Sequence, residues 1–203
     1  MFKKVTALVF SFLTVAVFLC SCGNKNNYQI QKLTFYSDES IVASYSYTYT
    51  AENKPAIITA YFNSDFEENY TDIYGYNDKG EITSYTKKYE NGAKESYTAE
   101  KITDNKYIIK DEDGNEHTTI IFDETGFIVS NRQAIGYVTE YAYTYDKSGK
   151  PKTLKQLDVT PSGSNRVIDF EISFSDKNTC RMTPVGEYAD SGMYYEAVYN
   201  ILN

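Results

Sequence analysis

Apolar and polar side chains alternate residue by residue along much of this chain, and this alternation limits the folds open to it. Successive side chains of a strand point to opposite faces of a sheet, so strict alternation indicates a strand with one buried face. Polar residues such as Ser44, Glu140 and Asp169 lie between the apolar positions. Three segments show the pattern most clearly: Ile41, Ala43, Tyr45, Tyr47 and Tyr49; Tyr137, Tyr141, Tyr143 and Tyr145; Ile168, Phe170, Ile172 and Phe174.

Short clusters rich in Asn, Asp and Gly separate the predicted strands. They are Asn53–Pro55, Asn77–Gly80, Asn91–Gly92, Asp111–Gly114, Asp123–Gly126 and Asp146–Gly149. Gly adopts the positive φ that such turns require, and Asn or Asp side chains accept hydrogen bonds from the turning backbone. We therefore predict an all-β fold, an antiparallel β-meander built from repeated hairpins, with little or no helix after an N-terminal signal peptide.

The tail from Gly186 to Asn203 fits two patterns. Alternation in a strand accounts for Met193, Tyr195, Ala197, Tyr199 and Ile201, whereas one face of a helix accounts for Tyr194, Val198, Ile201 and Leu202. We favour a closing strand.

Several hairpins share one local pattern: an aromatic residue, a polar turn with Gly, and a second strand. Clear examples begin at Tyr76, Phe122 and Tyr145, and weaker ones begin at Tyr49 and Phe174. The spacings between these aromatic residues are 27, 46, 23 and 29 residues. Because 46 is twice 23, we expect a degenerate repeat between Tyr76 and Phe122. Periods of this size favour a repeat architecture in which neighbouring units bury one another's faces.

These units, with Tyr or Phe followed by Asn or Asp and then Gly, resemble the YD repeats of the RHS class. The resemblance covers roughly residues 34–180, and the large RHS shell is not implied because the repeats are few and irregularly spaced. The N-terminal segment Leu19–Cys20–Ser21–Cys22 resembles a lipobox, and together with it the units resemble β-repeat lipoproteins of Bacteroidetes. The resemblance implies a fold of β-hairpins and no particular activity.

The N-terminus has the features of a bacterial lipoprotein signal. Lys3 and Lys4 precede an uncharged run from Val5 to Leu19, which is shorter than a membrane-spanning helix requires. Leu19–Cys20–Ser21–Cys22 then resembles a lipobox, with an aliphatic residue three places before Cys22 and a small one just before it. We predict a signal peptide over 1–21, lipidation of Cys22, a polar tether over 22–32 and one β-repeat domain over 33–203.

The predicted lipid on Cys22 makes the membrane the first partner. Several acyl chains on one Cys give lasting attachment, since each buried CH₂ contributes about 0.8 kcal/mol. Gly23 is not the Asp that commonly retains lipoproteins in the inner membrane, so we predict the outer membrane. The absence of acidic residues in 23–27 favours its periplasmic face.

The composition argues against nucleic acid as a partner. Without Lys3 and Lys4, 18 basic residues face 28 acidic ones, a formal charge of −10. Phosphate backbones repel such a chain. The composition is also unusual in its aromatic residues, with 21 Tyr and no Trp. Tyr is common in half-buried strands, where its ring packs and its hydroxyl reaches water.

The residue types that most often carry chemistry are isolated in this sequence. His117 stands alone and lies in a predicted strand, and Cys180 is left without an internal disulfide partner once Cys20 and Cys22 are accounted for. The acidic run Asp111–Glu116 has oxygen ligands suited to Ca²⁺, but an ordinary hairpin turn explains it better. We predict no catalytic residue, no metal and no cofactor.

The tyrosine rows are the remaining candidate for function. Tyr47, Tyr143 and Tyr145 either form a ligand platform, on which sugar rings or peptide side chains stack, or belong to the core face of the sheet, which we favour. The sequence thus indicates a membrane-anchored, non-enzymatic envelope lipoprotein that binds a partner, such as a glycan or an envelope protein, or serves as a scaffold. The alternative is a glycan-acting envelope enzyme that uses a pair of carboxylates.

Overall fold

The computed structural model describes residues 28–51, 55–63, 68–122, 128–145, 147 and 151–201. In these ranges the chain forms fourteen strands and one short 3-10 turn, Gly186–Tyr188. The strands are β1 (Tyr28–Ser37), β2 (Ser40–Tyr49), β3 (Pro55–Phe62), β4 (Tyr70–Tyr76), β5 (Ile82–Tyr89), β6 (Lys94–Thr103), β7 (Lys106–Lys110), β8 (Glu116–Phe122), β9 (Ile128–Gln133), β10 (Val138–Tyr145), β11 (Pro151–Val159), β12 (Asn165–Phe174), β13 (Thr179–Val185) and β14 (Met193–Ile201). The prediction of an all-β meander is confirmed.

The meander closes on itself. Each strand pairs antiparallel with its neighbour in sequence, and β1 pairs with β14 from Tyr28–Ile201 to Ser37–Met193, so the sheet is a closed barrel. The tail after Gly186 therefore contains the closing strand that we favoured over a helix. Strand β1 begins at Tyr28, inside the segment predicted as a tether over 22–32.

Alternation along each strand sets an inner and an outer face. Tyr45 on β2 lies opposite Leu33 on β1 and Ala60 on β3, and all three are buried inside the barrel. The rings of Phe35 and Tyr195 stack across the β1–β14 closure with centroids 4.8 Å apart. Inward-facing rings beside a water-filled channel would be exposed, but these two are each 1% exposed. Side chains therefore fill the interior here.

The outer face carries charged side chains on several neighbouring strands. Cross-strand ion pairs join Arg132 to Glu140 at 3.1 Å, Arg181 to Glu196 at 3.7 Å and Lys155 to Asp169 at 3.8 Å. These pairs bridge β9 to β10, β13 to β14 and β11 to β12, and their side chains are one-third or more exposed. Each is worth little to stability, because water screens it, but together they make the outer wall polar.

The repeated hairpin has a specific turn chemistry. In the turn between β7 and β8, the N–H of Asp111 donates to the carbonyl of Asn115, and the N–H of Gly114 donates to the carbonyl of Asp111. Gly114 has a φ of 81°, which a residue with a side chain adopts at a cost. The Asp111 Oδ1 accepts the N–H groups of Asp113 and Asn115. The acidic loop is thus built as a hairpin turn.

The structure locates a turn where the spacing of 46 residues indicated a degenerate repeat. Asp104 and Asn105 form the turn between β6 and β7, and Thr103 pairs with Lys106 across it. This turn lies at the same end of the barrel as the turn that follows Tyr76, because two strands separate the two turns. The sequence does not mark this turn clearly, because the turn contains no Gly and no aromatic residue directly precedes it.

The two ends of the barrel are distinguished by the course of β1. We call the end where β1 begins at Tyr28 the near end, and the end where β1 finishes at Ser37 the far end. No helix among the residues described is long and apolar enough to cross a membrane.

Candidate functional site: a groove at the far end of the barrel

The residues singled out in the sequence occupy separate places. Cys22 lies outside the described residues. Tyr47 is 7% exposed and points into the barrel from β2. Tyr143 and Tyr145 lie on β10, half-buried, with ring centroids 6.4 Å apart. Since β2 and β10 lie on different sides of the barrel, the strand order does not bring the three tyrosines together in one row.

The remaining singled-out residues also lie apart. Cys180 is buried on β13, with its Sγ 3.5 Å from the Tyr199 hydroxyl, and burial raises the pKa of its thiol. His117 is exposed on β8 and its ring lies 4.9 Å from that of Tyr97. Partial burial lowers the pKa of this imidazole, and Lys87 lowers it further. Among the residues described, no three His, Cys, Asp or Glu side chains are placed to hold a metal ion.

A groove of about 330 Å³ opens at the far end, where β3 ends, β4 begins and β5 ends. We call it the β3–β5 groove. It is lined by Thr59, Ala60, Tyr61, Asn69, Tyr70, Thr71, Lys88, Tyr89 and Glu90. The groove forms because the register of β3 with β4 ends at Ala60–Tyr70, so that the two strands separate beyond this pair.

Asn69 holds the rim of the groove in place. Its side-chain oxygen accepts the N–H of Phe62 at 2.8 Å, and its backbone carbonyl accepts the N–H of Glu90 at 3.2 Å. Next to it, the carboxylate of Glu68 accepts two hydrogen bonds from the amide of Asn91. These contacts connect the start of β4 to the ends of β3 and β5, so the rim does not depend on one strand alone.

The tyrosines around the groove lie on both faces of the sheet. Tyr61 points outward and is 50% exposed. Tyr70 and Tyr89 face each other edge to face, with centroids 6.1 Å apart and an angle of 66° between the rings. The Tyr89 hydroxyl donates to Glu95 at 3.1 Å, which holds that ring against the inside of the barrel. Only the Tyr61 ring therefore offers an exposed apolar face beside Thr71 and Lys88 on the outer side of the sheet.

Beside Tyr70 and Tyr89, three charged side chains follow one another across β4, β5 and β6, which we call the inner cluster: Asp72, Lys87 and Glu95. Asp72 on β4 lies opposite Lys87 on β5, which lies opposite Glu95 on β6. The Lys87 Nζ sits 4.3 Å from the centre of the Tyr70 ring, a cation–π contact. The Tyr89 and Tyr97 hydroxyls both donate to Glu95.

Asp72 is the buried carboxyl of this cluster. It is 4% exposed, and its Oδ1 has no hydrogen-bond partner among the residues described. Burial raises the pKa of Asp72 to about 6, Lys87 opposes the change and Glu95 adds to it. A carboxyl with this pKa can hold or release a proton near neutral pH.

The groove was not found from the sequence. Its residues come from three strands, and none of them belongs to a motif, so only the pairing of β3, β4 and β5 brings them together. A signal was present in the aromatic residues Phe62, Tyr70 and Tyr89, which end or begin strands at one end of the sheet.

Comparison with known proteins gives little further guidance. No protein-family model matches the chain, and no curated protein matches it. Among solved structures, a porin-like protein from Bacteroides uniformis matches with a TM-score of 0.39 and 15% identity. The match covers 77% of this chain and 56% of that protein, so the chain spans little more than half of the porin-like protein's length. A likeness at this level is not evidence of shared function.

Proposed function

We propose that this protein is a non-enzymatic binding protein of the outer membrane, anchored by a lipid on Cys22, with its barrel standing outside the bilayer. The observation that carries the proposal is the polarity of the two faces. The interior is filled with buried rings such as Phe35 and Tyr195, and the outer wall carries ion pairs such as Lys155–Asp169. A barrel embedded in lipid has the opposite arrangement, with an apolar outer band.

The energetic cost of placing this outer wall in lipid is large. A single Lys or Arg on the lipid-facing side near the middle of a bilayer costs about 2–4 kcal/mol. Lys155, Arg132 and Arg181 all lie on the outer wall with half or more of each side chain exposed. The barrel is therefore suited to water, and the acyl chains of Cys22 supply the attachment.

Anchoring through Cys22 would also orient the barrel. Strand β1 begins at Tyr28, so the five residues 23–27, at most roughly 20 Å of extended chain, separate it from Cys22. The near end would then face the bilayer, and the far end, with the β3–β5 groove, would face away from it. A groove on this side is accessible to partners in the surrounding compartment, which supports a binding role.

Fractionation of cells tests the proposal. The chain from Gly23 onward is exported with a cleavable signal that lacks a lipobox, and wild-type protein serves as the control. We expect the wild type in membranes washed with carbonate and the lipid-free form in the soluble fraction. Retention of the lipid-free form in washed membranes would show that the barrel itself inserts, and would refute the proposal.

A second candidate function, hydrolysis of a glycan by two carboxylates, is favoured by the pairing of Asp72 and Glu95 across Lys87. The raised pKa of Asp72 suits a general acid. However, Asp72 is 4% exposed, so a glycosidic oxygen does not reach its carboxyl. We therefore expect no release of reducing sugar from oligosaccharides by the wild type; release that Asp72→Asn abolishes would establish the enzyme instead.

A further inference from the structure

We infer that the outer wall of β2, β3 and β4 binds a second copy of this chain, an inference that rests on the proposed binding role and names a partner for it. We call the outward side chains of these three strands the uncharged wall. Three properties of the wall lead to a second copy: it carries no charge, its chemistry is complementary to itself, and its size suits a dimer.

The uncharged wall differs from the rest of the outer surface in its charge. Strands β2 and β3 have no charged side chain, and the one on β4, Asp72, is buried and lies opposite the buried Ile58. The outer face of β9 to β14 carries ion pairs such as Lys155–Asp169 instead. Because the chain has a formal net charge of −8, two copies repel each other. They meet little charged opposition where their uncharged walls approach.

The side chains of the wall suit a copy of themselves. Two neighbouring rows cross the three strands: Thr48, Ile57 and Ile73; Ser46, Thr59 and Thr71. A hydroxyl both donates and accepts hydrogen bonds, so the hydroxyls of one copy can pair with those of another. Ile41, Ile57 and Tyr61 are each more than one-third exposed and supply apolar area. A surface of this kind complements itself, as the two-fold symmetry of a dimer requires.

The size of the wall matches a reversible dimer. Tyr36 on β1, opposite Ile41, and Thr86 on β5, opposite Ile73, extend the wall on its two sides. Strands lie about 4.8 Å apart and rise about 3.3 Å per residue, so the wall covers roughly 500 Å². Two walls together would bury about 1,000 Å², which is the lower range of specific protein–protein interfaces.

A bilayer fits the wall less well than a second copy does. The hydroxyls of Ser46, Thr59 and Thr71 would lose their hydrogen bonds with water in hydrocarbon. Lys32 on β1 and Lys88 on β5 lie at the two ends of the same row and are both exposed. A protein surface with hydroxyls of its own replaces the lost hydrogen bonds and leaves the lysines in water.

Cross-linking in intact cells tests the inference on the full lipoprotein. Thr59→Cys places a thiol in the middle of the wall, where the two-fold axis of a dimer would pass. Thr183→Cys is the matched control, because Thr183 is also exposed but lies on the outer face of β13. After treatment with a short bis-maleimide, we expect a product of twice the chain mass for Thr59→Cys. We expect no such product for Thr183→Cys or for the wild type, in which Cys180 is buried.

A second measurement does not need an added thiol. Light scattering coupled to size-exclusion chromatography in detergent gives the protein mass in each particle. We expect two chains for the wild type and for Thr183→Glu, and one chain for Thr59→Glu, because two carboxylates would face each other near the axis.

The inference is overturned if Thr59→Cys gives no dimer product, or if both cysteine variants give it equally. A product of a different mass would assign the wall to another protein. Protection of Thr59→Cys from a water-soluble maleimide without cross-linking would place the wall against lipid. Equal masses for Thr59→Glu and Thr183→Glu would likewise reject this interface. The fractionation of the lipid-free form does not depend on self-association, so the proposed location succeeds or fails separately.

Discussion

Arg166 on β12 donates to Asp158 on β11 from the inner side of the barrel, with Nη2 2.6 Å from Oδ2. Gln156, two residues before Asp158, points the same way, is fully buried and donates its amide to both oxygens of Asp158. The aromatic interior thus contains a connected polar network in which the carboxylate of Asp158 accepts from both neighbours.

Removing the positive charge of Arg166 from this network should destabilise the fold. Arg166→Leu removes the cation that pairs with the mostly buried carboxylate of Asp158, and we expect the free energy of unfolding to fall by about 3 kcal/mol or more. Urea unfolding measures the change. Arg181→Leu is the matched control: its pair with Glu196 is exposed, so we expect less than about 1 kcal/mol. Equal losses for both variants would contradict the role of the inner network.

Asp72 should make stability depend on pH. Its pKa of about 6 in the folded state is above the ordinary value of 3.8, so the folded chain binds a proton more tightly than the unfolded chain. Stability therefore falls as pH rises from about 4 to about 6, and the full cost, about 3 kcal/mol, is present above pH 6. We expect Asp72→Asn to stabilise by about 3 kcal/mol at pH 7.5 and by about 1 kcal/mol at pH 4.5.

Urea unfolding at the two pH values tests this dependence. Glu171→Gln is the control, because Glu171 is exposed on the outer face of β12 and should give a small difference at both values. A gain for Asp72→Asn that is the same at pH 4.5 and 7.5 would mean that its carboxyl titrates normally.

The loss of stability on replacing a tyrosine by Ala should depend on whether its ring lies inside or outside the barrel. Tyr47→Ala removes a buried ring and should cost about 3 kcal/mol or more. Tyr143→Ala, at a half-buried ring packed against the core, should cost less, and Tyr137→Ala under about 0.5 kcal/mol. Chemical denaturation of the three variants gives this order. If Tyr47→Ala is as stable as Tyr137→Ala, Tyr47 does not belong to the core.

The turn between β1 and β2 offers a stabilising substitution. Asp38 and Glu39 have φ values of 48° and 63°, a region that Gly adopts at lower cost. We expect Glu39→Gly to raise the free energy of unfolding by about 1 kcal/mol. Glu112→Gly, at an exposed turn residue with negative φ, should lower it by about 0.5 kcal/mol, because it only adds freedom to the unfolded chain. The same sign for both changes in thermal unfolding would argue against strain at Glu39.

Lipidation of Cys22 is tested by a single substitution. Cys22→Ser should leave an unprocessed precursor and should abolish labelling with an acyl probe, because the thiol is the attachment point. Cys20→Ser is the control and should be processed and labelled as the wild type. Normal labelling of Cys22→Ser would exclude this residue as the anchor.

The strands were predictable because the alternation is local and strict. Ile168, Phe170, Ile172 and Phe174 needed only their own spacing to be placed on one face, and the Asp111–Gly114 turn only its own residues. Closure of the barrel was not predictable in this way. It depends on pairing between Tyr28 and Ile201, at opposite ends of the chain, and β1 begins among polar residues that read as a tether.

The polar groups inside the barrel also could not be predicted from the local sequence. Asp72 and Asp158 occupy inward positions of their strands. In the sequence, a charged residue at such a position interrupts the apolar and polar alternation, and only the structure shows its partners. Arg166 is eight residues from Asp158 and becomes its neighbour only through the hairpin that joins β11 to β12. The groove likewise depends on where β3 and β4 separate, which no residue type encodes.

The seam between β1 and β14 has a consequence for how the protein matures. Thirteen of the fourteen strand pairs form between consecutive segments and can assemble as the chain emerges, but β1 is synthesised first and β14 last. Until Ile201 reaches Tyr28, two open strand edges remain, and such edges recruit other chains. Translation must therefore reach β14 before the sheet can close, and a chain that ends before Met193 would keep two unpaired strand edges.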